Sequence, residues 1–154
     1  MRRALVGLAA LVTLAGCGTN SNGTGSPGGV AEDYLHDLAD RDYAAACQLL
    51  TDDLRHQLGD CPSALAKRHA DLPVTALDEL RLATVDHVTY RDSTTALVYA
   101  KDIKVRVTAT VKVNGTPKPR SSAQRSIAAN EATDGHGLEL RKTGTGWRIS
   151  GGGV

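Results

Sequence analysis

Ile103-Lys104-Val105-Arg106-Val107-Thr108-Ala109-Thr110-Val111-Lys112-Val113 alternates apolar and polar residues without a break, a period of two that fits an extended strand with one dry and one wet face. The valines suit a pleated surface, and Lys104, Arg106 and Lys112 make the wet face cationic. Downstream, Asn114-Gly115 is a turn signal. Residues 116–137 show no period and carry Pro117 and Pro119, so loop or edge is expected there. Leu138 and Leu140 then alternate with Glu139 and Arg141, and Thr143-Gly144-Thr145-Gly146 turns the chain into Trp147-Arg148-Ile149-Ser150. A closing hairpin is predicted, with the sole Trp plugging the core beneath the helices. Upstream, period two also runs through residues 82–90 and, beyond Asp92-Ser93, through residues 96–99.

Before Pro73 the period is helical. Val30, Tyr34 and Leu38 recur at four-residue steps with Ala31, Leu35 and Ala39 beside them. Asp42 is placed to cap a second helix with Tyr43, Ala46, Cys47 and Leu50 on one side, and Thr51 a third with Leu54 and Leu58 inward and Gly59 at its end. Pro62 fits the first turn of a fourth, with Leu65, His69 and Leu72 on one side and Pro73 as its stop. Helices followed by antiparallel strands define an α+β fold with the helices packed on one face of the sheet.

A chain of 154 residues with 41% hydrophobic content fits one domain. Its 18 Lys and Arg against 17 Asp and Glu give a net charge of +1, too weak a field to recruit nucleic acid. With 3% aromatics and no Phe, extensive base- or sugar-stacking platforms are excluded too.

The amino terminus is an address. Arg2 and Arg3 precede a run to Gly16 that is apolar but for Thr13, the layout of a secretory signal peptide over residues 1–16. As a helix, thirteen residues reach only about 20 Å of a roughly 30 Å hydrocarbon slab. The cut site Leu14-Ala15-Gly16-Cys17 resembles the bacterial lipobox, which implies lipidation of Cys17 and a membrane partner reached through the lipid. An ordinary signal peptide with an incidental cysteine would instead give soluble release. Loss of Arg2 and Arg3 leaves 16 cations against 17 acids, a charge of −1. The stretch after Cys17 to Gly29 has no hydrophobe and reads as a flexible tether, placing the domain at residues 30–154. With Cys17 taken by lipid, Cys47 and Cys61 remain, and a disulfide is the simplest reading; a redox or metal pair lacks the Cys-x-x-Cys or added His it needs.

The run Arg41-Asp42-Tyr43-Ala44-Ala45-Ala46-Cys47-Gln48-Leu49-Leu50 and the ending Gly146-Trp147-Arg148-Ile149 resemble the nuclear-transport-factor-2-like superfamily, in particular short secreted lipoproteins of high-GC Gram-positive bacteria. The resemblance implies a curved sheet wrapped against helices as a cone, whose mouth binds small molecules or proteins. Its enzymatic members, similar to ketosteroid isomerases and dehydratases, work through Asp, His or Tyr in the cone. Here Tyr34, Asp86, His87, Tyr90 and Tyr99 have suitable types. Asp86 and His87 are adjacent on an expected strand and so point to opposite faces. His36, His56 and His69 lack partners at ligand spacing, so solvated or edge-packed histidines are expected, with no metal site or cofactor. Lys118, Arg120 and Arg125, beside Lys104, Arg106 and Lys112, form a candidate basic patch for anionic headgroups or wall polymers. The expected function is non-enzymatic binding of a small apolar ligand or an envelope protein; an isomerase-like enzyme or a purely structural envelope domain are the alternatives.

Overall fold

The computed structural model describes residues 25–113 and 116–154, and for residues 107–113 and 118–121 the backbone alone. The signal peptide, Cys17 and the Asn114-Gly115 turn lie outside the described residues. Helix α1 (Pro27–Asp40) starts where Ser26 Oγ accepts the Gly29 N–H at 3.2 Å, and ends at Arg41 in the left-handed region. Its expected stripe, Val30, Ala31, Tyr34, Leu35, Leu38 and Ala39, is wholly buried. The helix begins earlier than the glycine-rich composition implied, so Pro27, Gly28 and Gly29 belong to it and not to a tether. Ser26 supplies the cap, and the bare Gly28 lets α1 lie against Val85 and Val88, where a Cβ would come within 3.3 Å of Val88.

Three short helices follow: α2 (Tyr43–Gln48), α3 (Asp52–Leu58) and α4 (Cys61–Arg68), capped by the side chains of Asp42, Thr51 and Asp60. Cys47 and Cys61 form a disulfide with their Cα atoms 6.1 Å apart, pinning α2 to the start of α4. Pro73 does not end the helical region. It is the N-cap of α5 (Val74–Leu80), whose Ala76, Leu77 and Leu80 are buried at helical spacing. Proline is tolerated at a helix start, where no N–H partner is lost. Arg81 ties α5 back to α1, with Nε on Asp40 at 2.7 Å and Nη2 donating to the Ala39 carbonyl at 3.1 Å.

The strands are β1 (Ala83–Val85), β2 (Thr89–Tyr90), β3 (Thr95–Val98), β4 (Ile103–Val113), β5 (Thr116–Arg125), β6 (Leu138–Thr143) and β7 (Gly146–Gly152). They form two antiparallel sheets, ordered β1-β4-β5 and β2-β3-β6-β7. The chain expected to be one strand over residues 82–90 breaks into β1 and β2, which join different sheets. Residues 116–137, expected as loop or edge, hold the edge strand β5 and a sixth helix, α6 (Ile127–Ala132). No period marked β5 because Ser122 to Arg125 are all exposed. The start of α6 draws on one local and one distant residue, and the distant one left no mark nearby in the sequence: Ser126 Oγ accepts the Ala129 N–H at 2.9 Å, while Glu79 Oε1 accepts from Ser126 Oγ and the Ile127 N–H, both at 2.7 Å.

One apolar core joins the helices to both sheets, with α1 in contact with α2, α5, β1, β3 and β7. Trp147, 8% exposed, shares the inward face of β7 with Ile149 and meets Tyr90 edge-on at 6.1 Å between ring centroids. Near the chain end, Gly137 sits at φ 81°, and a Cβ there would stand 2.1 Å from the Val98 carbonyl oxygen. Gly137→Ala is therefore expected to lower the thermal midpoint sharply, since it adds backbone strain of about 1–3 kcal/mol to a steric clash; an unchanged midpoint would refute this packing. Replacing both Cys47 and Cys61 by Ala should cost about 3 kcal/mol in urea unfolding, the chain-entropy value for a loop of this size.

Candidate functional site

The acid–base candidates do not converge. Tyr34 is buried in the middle of α1, where desolvation pushes its phenol far above the usual range against a weaker opposing pull from Arg68. Asp86 and His87 lie in the exposed loop between β1 and β2, not on a strand: the Asp86 N–H makes a last bond in the β1–β4 register, to the Asp102 carbonyl at 2.8 Å, and the chain then leaves that sheet for β2 in the other. Tyr90 is exposed over Trp147, and Tyr99 carries Lys101 Nζ 5.2 Å from its ring centroid. Among the histidines, His56 is exposed and His36 Nε2 lies 3.0 Å from the Ala83 carbonyl. His69, expected at a solvated or edge position, is instead buried at the end of α4, in the face that Leu65 also turns inward.

The cationic positions of the β4-β5 ribbon are sorted by register. Lys104 pairs with Arg125 and Arg106 with Ala123, whereas Lys118 and Arg120 stand opposite Val111 and Ala109. Lys112 pairs with Pro117; the side chains of Lys112, Lys118 and Arg120 lie outside the described residues. Lys104 Nζ donates to the Lys101 carbonyl at 2.6 Å, while Arg106 and Arg125 are exposed with no side-chain partner among the described residues.

A polar concavity lies elsewhere, and its construction starts from an edge. Strand β7 would end the second sheet with unpaired backbone groups. The α2–α3 junction covers them: the Ile149 N–H donates to the Leu49 carbonyl at 2.9 Å, and the Thr51 N–H to the Ile149 carbonyl at 2.8 Å. This stitch lays the start of α3 beside the β6–β7 hairpin. Between them run two adjoining open grooves of about 420 and 440 Å³, which share Thr51, Asp52 and Thr143. Arg141 and Ser150 stand on one wall of the first and Asp53 and Gln57 on the other. Arg55 pairs with Asp52 along α3. Arg141 and Asp53 have no side-chain partner among the described residues, so the groove offers one free cation, one free anion and several neutral hydrogen-bonding groups. Sequence reasoning missed it, since Arg141 reads only as the polar half of a hairpin alternation and Asp53 only as a first-turn acid.

No family model, curated protein or solved structure matches this chain. What the fold and groove define is an α+β domain with a packed interior and a polar surface cleft. No described helix is long and apolar enough to cross a membrane.

The titrations with resolved shifts bear on stability. Burial and then the neighbouring Asp42, Asp33 and Asp40 push Asp37 up to about 6, with His36 opposing. An acid whose folded value is raised favours folding when protonated, so its contribution is lost as pH rises from its ordinary value of 3.8 through about 6. Burial lowers His69, helped by Arg68 and opposed by Asp134; its contribution is complete above the ordinary 6.5 and declines as pH falls below it. Asp37→Asn should therefore raise the urea midpoint at pH 7 and leave it unchanged at pH 3, where the carboxyl is protonated in both states. An equal effect at the two pH values would contradict the cause assigned.

Proposed function

We propose that the protein is a lipid-anchored extracytoplasmic binding module that holds a polar segment of another envelope protein in the groove between α3 and the β6–β7 hairpin. The observation that carries this reading is the groove itself, with Arg141 and Asp53 both unneutralised beside Thr51, Thr143 and Ser150. An extended polypeptide offers a main-chain donor and acceptor at every residue and side chains of either sign, which is the chemistry such a lining satisfies. Anchorage rests on the Leu14-Ala15-Gly16-Cys17 sequence, and the Cys47–Cys61 bridge is in keeping with an oxidising compartment.

A protein partner is favoured over a small apolar ligand. Tyr34, Leu35 and Leu38 are fully buried within the core, and the cleft beside the exposed Leu82 and Ile127, about 220 Å³, is smaller than the roughly 300–1,000 Å³ of typical ligand sites. Binding is favoured over turnover because Tyr34, Asp86, His87, Tyr90 and Tyr99 do not face one another across either groove.

A photo-crosslinking residue at Ser150, introduced in the producing cells, is expected to give a discrete adduct that the same probe at Lys101 does not. Arg141→Glu should weaken that adduct roughly tenfold, the worth of one charge-assisted contact. Adducts of equal yield at both positions, or none at Ser150, would remove the proposal.

A further inference from the structure

Among the described residues, the strongly exposed aliphatic side chains Val74, Leu82 and Ile127 gather on one face. Leu82, just before β1, is 62% exposed, and Ile127, the first residue of α6, is 68% exposed. Both line one cleft, whose floor is Val105 and whose border carries Arg106 and Arg125. A second cleft adjoins it through Glu79 and Ile127 and runs along α5 past Pro73 and Thr75, on either side of the exposed Val74. Scattered single hydrophobes need no explanation, but aliphatic residues sharing a cleft with unneutralised cations form an amphipathic surface.

The charges say what that surface meets. Lys104 and Arg125 occupy directly paired positions of β4 and β5, a like-charge juxtaposition that costs stability unless an anion screens it. Arg106 lies two residues along β4 from Lys104 and so on the same face. Of the two acids at the clefts, Glu79 spends its carboxylate on Ser126 and the backbone N–H groups of Ile127 and Ala128, leaving Glu131 as the other. Aliphatic tips ringed by Lys and Arg match a leaflet of anionic lipid, with the tips at the acyl boundary and the cations at the phosphates.

Chain length permits the contact. Helix α1 begins at Pro27 with Gly28 against Val85, and Val85 is three residues, about 10 Å of strand, from Leu82. Cys17 stands ten residues before Pro27, a reach of up to about 35 Å when extended. An anchor at Cys17 thus lets Leu82 and Ile127 touch the leaflet that holds it.

We infer that the face formed by Leu82, Ile127, Arg106, Arg125 and Lys104 is a membrane-docking surface for anionic phospholipid, which lays the domain on the leaflet and leaves the α3/β6–β7 groove, lined by none of these residues, for the partner. The inference rests on the anchoring half of the proposed function. The test uses the full protein purified from membranes and reconstituted into vesicles of phosphatidylglycerol with phosphatidylcholine, or of phosphatidylcholine alone. Hydrogen exchange is read at residues 81–83 and 127–129. Exchange at both segments should be at least fivefold slower on the anionic vesicles. That difference should vanish in 0.5 M salt, as expected when the Debye length falls to about 4 Å, and in the Arg106→Glu/Arg125→Glu and Leu82→Ser/Ile127→Ser variants. Unchanged exchange in α1 controls for folding of each variant. Equal exchange on the two vesicle types overturns the inference, as does protection found in native membranes but absent from lipid alone, which would mark a protein as the occupant. Intact mass of the same sample reads the anchor separately. Protection with an unmodified Cys17 would remove the anchor and keep the face, and an acylated Cys17 without protection would remove the face alone.

Discussion

The buried stripe of α1 is the constraint on which the rest of the structure depends. Val30, Ala31, Tyr34, Leu35, Leu38 and Ala39 touch helices on one side and strands of both sheets on the other. Neither sheet is large enough to bury its own apolar face, and a three-stranded sheet whose β4 and β5 extend well beyond β1 is close to an isolated ribbon. The helix makes one core out of two partial ones. Small residues at Ala31 and Ala39 let it approach closely, and polar contacts then fix its register: Glu32 accepts the Val85 N–H at 2.6 Å, and Arg81 grips the far end. Apolar burial supplies the drive and these contacts choose one arrangement.

The helices after α1 are too short to hold themselves. Segments of six to eight residues lie below the length at which an isolated helix persists, so α2, α3, α4 and α6 rely on a side-chain cap and on what they pack against, and α5, which has no side-chain cap, on packing. The disulfide restrains two of them at their junction with the core. The Leu49–Thr51 segment does double duty, closing the exposed edge of β7 while setting the start of α3 at the distance that opens the groove. The site is therefore a by-product of edge protection, and changes at Leu49 or Leu50 should be felt there as much as in the core.

This division explains what the sequence made legible. Caps and stripes are local, so Asp42, Thr51, Gly59 and the α1 stripe were readable from spacing alone, as was the terminal hairpin around Trp147. Helix α6 was not, because two of the three backbone N–H groups capped at its start, those of Ile127 and Ala128, go to the carboxylate of Glu79, 47 residues away in the chain from Ser126. Strand β5 escaped because residues exposed on both faces carry no alternation. The buried position of His69 was equally silent, since an imidazole beside Leu65 and Leu72 reads alike whether the face is wet or dry. The groove and the amphipathic face are assembled from segments far apart in sequence, and no window along the chain contains either.

Net charge hides the feature that matters most for orientation. The whole chain balances at +1, which rightly discounts attraction to polyanions in bulk. Yet the acids Asp33, Asp37, Asp40 and Asp42 line α1 and its exit, where burial and then their mutual repulsion raise Asp37, while Lys104, Arg106 and Arg125 gather on the β4-β5 ribbon. A body with separated charges feels a torque near an anionic plane even when it feels little net force. Screening limits that torque to within about 8 Å at physiological salt, a range a free protein seldom samples and a tethered one occupies continuously. Charge separation without net charge acts on a domain only if something else holds it at the surface, and an anchor at Cys17 is the feature of this chain that would do so.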